Sequence, residues 1–189
     1  MELLKQRILE VGVIVSDQVL KLDAILNHQV DPTLIVEMGK EFARLFREAK
    51  PDKVLTVESS GIPIAFATAL QLGVPMVFAR RKKTVTMDQD TYSERVPSFT
   101  KGIVTDIMVS AHLLNKGERI LLIDDFIANG DAARGLIRII EKAEAELVGV
   151  GIAVEKMFQA GGRSLRERDI RVESLARIAS LADGQIRFE

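Results

Sequence analysis

The sequence predicts an α/β fold, a central parallel sheet flanked by helices, and three observations carry that expectation. From about residue 50 onward, short apolar runs alternate with segments of helical periodicity, the order that βαβ units produce. One run, Ile120-Leu121-Leu122-Ile123, is continuously apolar, which suits a strand buried on both faces of a parallel sheet. That run passes straight into Asp124 and Asp125 and then into a turn of small residues, and in open α/β sheets ligands sit beyond such strand ends.

Each element has its own signal. Met1 to Glu10 and Thr33 to Lys50 place apolar residues at helical spacing. The second has Leu34, Met38, Phe42, Leu45 and Phe46 on one side, Asp31-Pro32 as its start and Pro51 as its stop. Then follow a strand at Lys53 to Val57, a helix at Gly61 to Leu72, a strand at Val74 to Ala79, a strand at Arg119 to Asp125 and a helix at Asn129 to Glu144. Glu146 to Glu155 is the next strand, and Ile170 to Ala179 adds a last one. Crossovers between parallel strands are expected to be right-handed. Thr84 to Thr105 is a polar tract with poor periodicity, too long for an ordinary connection, and reads either as an active-site lid or as disorder. Ile103 to Ser110 alternates weakly and suits the returning arm of a hairpin.

Bulk properties bound the function. The 189 residues are 47% apolar, enough for one continuous core, and a single domain over residues 1–189 is expected. Lys and Arg number 26 against 27 Asp and Glu, a formal charge of −1 that points away from a nucleic-acid binder. There is no Cys, which excludes disulfides and thiolate chemistry and is compatible with a reducing compartment. His28 and His112 lie far apart, outside metal-binding spacing. Neither a signal peptide nor an apolar stretch of the roughly 20 residues that span a bilayer is evident, so a cytoplasmic location is expected.

The candidate site begins with Asp124 and Asp125. Such a pair is also common as a solvated strand end or a helix cap. The residues that follow, Ala128-Asn129-Gly130-Asp131-Ala132, open a helix whose first N–H groups and dipole can hold a phosphate. Carboxylates for hydroxyls beside amides for phosphate point to a ribose 5-phosphate. Asp131 would repel a phosphate unless its side chain turns outward to cap the helix. After the first strand comes Glu58-Ser59-Ser60-Gly61-Ile62-Pro63, in which Ser60 can act as N-cap and Pro63 fits the first turn; alone it is no more than a good helix start. The cluster Arg80-Arg81-Lys82-Lys83 follows the second strand on the same rim of the sheet, where a charge run is either a solvated face or an anion site. Lys156 follows the strand ending at Glu155, as an exposed cation or as a donor to a carbonyl oxygen.

Apolar run, acid pair, and Asn129-Gly130-Asp131-Ala132 at the helix start resemble the signature of the type I phosphoribosyltransferases. Family loops usually have Thr where this chain has Asn129, and Gly or Lys where it has Asp131. The resemblance implies the type I fold with an N-terminal hood within residues 1–50 and a flexible active-site loop at 84–105. It implies that Asp124 and Asp125 contact the ribose hydroxyls of phosphoribosyl pyrophosphate and that 128–132 wraps its 5-phosphate. Glu58-Ser59-Ser60-Gly61 resembles the pyrophosphate loop of the purine enzymes, which often holds a strained or cis peptide, here around Ser59 and Ser60. Arg80 with Lys82 or Lys83 would meet the departing pyrophosphate, and Tyr92 and Ser93 resemble the pair at the flexible loop's tip. Phe158 with Gly161-Gly162 resembles the stretch in which an aromatic lies against the base.

The run Ser16 to Pro32 resembles the hood of the purine salvage enzymes, and the likeness extends through essentially the whole chain; it implies Leu20 and Asn27 at the base-contacting positions and Lys156 as the donor to a 6-oxopurine. Xanthine is the base this implies, with guanine or hypoxanthine as alternatives. Ala128 stands where some purine enzymes have an Asp proposed as base, so no protein general base is expected there. The resemblance also implies Mg²⁺ carried with phosphoribosyl pyrophosphate, without a direct protein cage, and a homodimer. A regulator on this fold that senses phosphoribosyl pyrophosphate while binding RNA or DNA, or a nucleotide-binding domain without transferase activity, is the remaining alternative.

Overall fold

A computed structural model of the chain describes residues 1–82, 90–98 and 103–189. The N-terminal part is a helix α1 (Glu2–Val11), an antiparallel ribbon of β1 (Val13–Ser16) and β2 (Val19–Lys21), a wide turn at Asp23–Asn27 and a second helix α2 (Pro32–Phe46). Asp31 starts α2 as its sequence promises: its carboxylate accepts from the Leu34 N–H at 3.1 Å, and Pro32 occupies the first turn. A tighter turn, Arg47–Ala49, carries the chain on to Lys50, whose φ of 44° ends the helix just before Pro51.

The strands β3 (Lys53–Val57), β4 (Met76–Ala79), β7 (Arg119–Ile127), β8 (Glu146–Lys156) and β9 (Val172–Ser180) form one sheet with a short antiparallel edge strand β10 (Arg187–Phe188), in the order β10-β9-β8-β7-β3-β4. All the other pairings are parallel. Helices α3 (Ile62–Leu72), α4 (Asp131–Lys142) and α5 (Gly161–Arg166) connect them. The apolar run of β7 explains why it is continuous: Leu121 and Ile123 join the cluster under α1, α2 and α3, whereas Ile120 and Leu122 join the cluster under α4, and all four are fully buried. At roughly 1.5–3 kcal/mol for each such side chain, this strand is a main contributor to the core.

Two expectations need correction. The strand ends two residues later than its apolar run predicts, because the long neighbour β8 keeps pairing with it through Phe126↔Val154 and Ile127↔Glu155. The acid pair lies inside the strand, as the expected span Arg119 to Asp125 has it, with Phe126 and Ile127 completing the element. The polar tract, expected as a loop, contains a strand β5 (Thr91–Ser98) paired antiparallel with β6 (Ile103–Ser110) in the register Thr91↔Ser110 to Ser98↔Ile103. Its burial alternates, with Tyr92, Glu94 and Val96 inward and Ser93, Arg95 and Pro97 less so, a period that polar composition had hidden. The hairpin is clamped to α4: Glu94 bonds Arg138 and Lys142 at 2.7 Å each, and a Cβ on Gly135 would lie 2.4 Å from Val96. Tyr92 and Ser93 consequently stand at the end of the hairpin remote from its turn, with Tyr92 half-buried against the core, and not at a loop tip.

The sheet and α2 meet closely enough to require glycine in β8. A Cβ on Gly151 would lie 2.5 Å from Ile123 and 2.8 Å from Phe42, both fully buried. Gly151→Ala is expected to destabilise the protein by about 1–3 kcal/mol, as overpacking does, read as a lower urea midpoint with an unchanged slope.

Candidate active site

At the end of β7 the side chain of Asp124 is buried, with 6% of its surface exposed. Its Oδ1 accepts from the Asp125 N–H at 3.0 Å. Burial first, and the neighbouring Asp125 charge second, push its carboxyl well above the usual carboxylate range, against the opposing charge of Arg81. The wall over it is Gly61: a Cβ there would lie 2.3 Å from Thr56 Oγ1 and 2.7 Å from Asp124 Oδ1, so the β3–α3 turn approaches the acid as only glycine allows. The peptide between Glu58 and Ser59 in this turn is cis. Gly61, and not Ser60, is the N-cap of α3, and no side chain caps that helix; Pro63 sits in its first turn as expected.

Beyond β7 the turn reaches α4 through Gly130, whose φ of 83° is open to glycine and strained for other residues. Asp131 does not cap the helix. Its carboxylate accepts from Arg134 Nη2 at 2.7 Å, while Arg134 Nη1 donates to the Asn129 carbonyl at 2.8 Å. That pairing neutralises the acid that would otherwise oppose a phosphate. The first turn of α5 braces the same loop from outside: Gly161 N–H donates to the Ala128 carbonyl at 2.9 Å, and a Cβ on Gly161 would stand 2.7 Å from the Gly130 nitrogen.

Lys156 closes another side. Burial lowers its pKa, its Nζ donates to the Gln18 carbonyl at 2.8 Å, and it lies 5.6 Å above the ring of Phe126. From the N-terminal hood, Leu20 is buried and Asn27 Nδ2 donates to Asp125 Oδ2 at 2.7 Å. These groups share one cavity of about 430 Å³, lined by Gln18, Leu20, Asn27, Ser59, Ser60, Arg81, Asp124, Asp125, the whole of 128–132 and Lys156.

The basic cluster sorts differently from its expected roles. Arg81 lines the cavity, tied to the β3–α3 turn by its N–H to Glu58 Oε1 at 2.7 Å and its Nε to the Glu58 carbonyl at 3.2 Å. Arg80 is not among the lining residues; it lies over Phe78 at 5.9 Å because its backbone is held in a two-way bridge with Met108. Lys82 is exposed outside the cavity wall, and Lys83 lies outside the described residues. Phe158 and Phe126 are both half-buried against the core, and of the two Phe126 lines the cavity. Val96 and Pro97 of the hairpin also line it, which the polar character of that tract did not signal.

Behind Lys156, Glu155 is buried and accepts from Arg166 Nη1 at 2.6 Å and Nη2 at 2.7 Å and from Ser174 Oγ at 2.6 Å. It joins β8, α5 and β9 directly under the residues that carry Lys156 and Gly161. Burial works against its charge, yet the Arg166 and Ser174 bonds outweigh that and lower its pKa.

The arrangement can grip a molecule with an anionic end at Gly130, vicinal hydroxyls at the acid pair, a second anionic group near Ser59, Ser60 and Arg81, and a planar carbonyl-bearing group between hood and Lys156. Among the described residues no three acidic or imidazole groups converge to hold a metal, and no helix is long and apolar enough to cross a membrane.

Comparison with known proteins agrees with this geometry. Residues 29–174 match the phosphoribosyl transferase domain family. The chain is 56% identical over 187 residues to xanthine phosphoribosyltransferase of Moorella thermoacetica, covering 99% of this chain and 95% of that protein. It is 52% identical over 188 residues to the enzyme of the same name in Bacillus licheniformis, covering 100% and 97%. Among solved structures, adenine phosphoribosyltransferase from Rhodothermus marinus has a TM-score of 0.75 at 24% identity, covering 94% of this chain and 100% of that one. The Giardia lamblia adenine enzyme in complex with 9-deazaadenine has a TM-score of 0.72 at 22% identity, covering 84% and 86%. At those identities the likeness shows the shared fold.

The lowered Glu155 pKa has a defined pH signature. A depressed carboxyl contributes stability above its unfolded pKa and loses it as pH falls. Unfolding measured by urea from pH 7 to pH 3 is expected to steepen below the ordinary value of 4.5, and Glu155→Gln, already about 1–3 kcal/mol less stable at pH 7, is expected to show a shallower acid branch.

Proposed function

The chain belongs to the phosphoribosyl transferase family, and we propose that it transfers the 5-phosphoribosyl group of phosphoribosyl pyrophosphate to xanthine, giving xanthosine 5'-monophosphate and pyrophosphate in purine salvage. The observation that carries this reading is the convergence of the acid pair, the Gly130 turn, the Ser59-Ser60 turn and the hood on one cavity. Relatives named for xanthine, matched over nearly the full chain, support the choice of base.

In this reading the backbone N–H groups of 128–132 bind the 5-phosphate, aided by the α4 dipole. Asp125, with Asp124 behind it, accepts from the ribose hydroxyls; burial raises the pKa of the Asp124 carboxyl, and the more exposed Asp125 is the one that faces the ligand. Ser59, Ser60 and Arg81 hold pyrophosphate, and Arg81 meets the charge that grows on the departing oxygen as the bond to C1' breaks. Lys156 donates to a purine carbonyl, which favours a 6-oxopurine over the amino group of adenine. Leu20 and Phe126 give the base apolar contact. Xanthine is itself fairly acidic and attacks through a ring nitrogen whose proton passes to solvent, so no protein base is needed at Ala128. Positioning supplies most of the rate.

Mg²⁺ fits as a companion of phosphoribosyl pyrophosphate: two carboxylates with no third acidic or imidazole ligand among the described residues suit an ion that keeps waters and binds mainly substrate oxygens. Bound there, it neutralises pyrophosphate charge. The chain works as a single domain in the cytoplasm, a location in keeping with its lack of cysteine.

Initial rates with xanthine, guanine, hypoxanthine and adenine, each with phosphoribosyl pyrophosphate and Mg²⁺, test reaction and specificity together; xanthine is expected to lead, and adenine turnover at a comparable rate would overturn the assignment. In the same assay Asp125→Asn is expected to lose about 100-fold or more in turnover with its fold intact, and Lys156→Ala to raise the KM for xanthine far more than that for phosphoribosyl pyrophosphate.

A homodimer is part of the proposal. Phe66 and Leu70, one turn apart on α3, are 59% and 64% exposed, and Phe78 on the adjoining edge strand is 36% exposed, an apolar face suited to a second copy. Analytical ultracentrifugation is expected to give twice the 20.9 kDa chain mass for the protein and a monomer for Phe66→Asp.

A further inference from the structure

Besides the bonds that Lys156 and Gln159 make to Gln18, hood and sheet are joined across the cavity by a hydrogen bond to a carboxylate. Asn27, at the end of the wide turn, donates through Nδ2 to Asp125 Oδ2 at 2.7 Å, short for an N–H···O bond, as expected with a charged acceptor. The two residues are 98 positions apart and belong to different layers, so the contact has no local cause. Both line the cavity. Under the function proposed above, on which this inference rests, Asp125 is the acceptor that the ribose hydroxyls need, and the Asn27 amide is a donor that a base carbonyl needs. Each end of the bond is thus a group wanted by a different substrate.

We propose that the Asn27–Asp125 bond is a latch that couples the two substrate sites. A ribose hydroxyl reaching Asp125 displaces the Asn27 amide, which frees it for the base; a base that engages Asn27 leaves Asp125 free for the ribose. Two ligands that each break the same bond help one another, because the second finds it already broken, and the enhancement is the same in both directions. Its size follows from a hydrogen bond to a carboxylate that is partly exposed to water, about threefold to tenfold in affinity. Asn27 is in this view a positioning residue for the phosphoribosyl site as well as a contact of the base. The rest of the hood has its own tie, Gln159 Nε2 to Gln18 Oε1 at 3.2 Å, so opening the latch does not require the hood to detach.

Ribose 5-phosphate is the probe, since it lacks the pyrophosphate leaving group and forms a complex with xanthine present that cannot turn over. Calorimetric titration is expected to show xanthine tightening its binding to the wild-type protein about threefold to tenfold. Without xanthine, Asn27→Ala is expected to bind ribose 5-phosphate tighter than wild type by the same factor, and xanthine then to change that affinity less than about twofold. Gln159→Ala, which loosens the hood elsewhere, is expected to keep the wild-type affinity. Equal or weaker binding by Asn27→Ala overturns the latch, as does equal tightening in both variants, which would trace the effect to a loose hood. A folded wild type that binds no ribose 5-phosphate overturns the functional reading itself, and the latch with it.

Discussion

A carboxyl group buried at the end of a central strand is the constraint around which the rest of this molecule is arranged. Placing Asp124 out of water is unfavourable, and the structure offsets it with the Asp125 N–H and the Arg81 charge without leaving its ionised form at ease. Gly61 has to approach within a distance no other residue tolerates, which draws the β3–α3 turn onto the acid. Because Ile120 to Ile123 in the strand that carries it are fully buried, the acid cannot move without disturbing both halves of the core. The more exposed Asp125 is thereby presented to a ligand from a rigid support.

The same economy of support recurs on each side. Arg134 answers Asp131 so that the turn at 128–132 carries no uncompensated negative charge, and Gly161 braces that turn through a backbone bond. Glu155 draws Arg166 and Ser174 together beneath Lys156 and α5. A buried carboxylate of this kind is a poor source of net stability compared with apolar packing. Its effect is geometric, since it ties three elements that hold two ligand-facing groups. The hood, by contrast, is anchored in the core by Leu22 and Ile25 and meets the site through exposed hydrogen bonds from Asn27, Lys156 and Gln159, a weaker kind of contact.

What was legible beforehand was local. Ile120 to Ile123 announced a doubly buried strand, Asp31-Pro32 a helix start, Gly130 a turn into a helix, and the acid pair with its small-residue turn a cavity wall at the sheet's rim, because each depends on neighbours within a few positions. The strand in 91–98 escaped notice because its inward positions include Glu94, whose burial is tolerable only opposite Arg138 and Lys142, two residues of a helix more than forty positions away.

The choice of Arg81 over Arg80 and of Phe126 over Phe158 turns on strand register, which a backbone bridge from Arg80 to Met108 and two extra pairings of β7 with β8 decide. By itself, then, the amino-acid order determined the α/β class, the order of elements and the kinds of group gathered at the sheet's rim, since periodicity and turn chemistry are short-range. Which side chains of each cluster face the cavity, which glycines admit them, and that Asn27 reaches Asp125 were settled only by the packed fold. Those facts depend on distances between segments remote in the chain, and no local pattern encodes them.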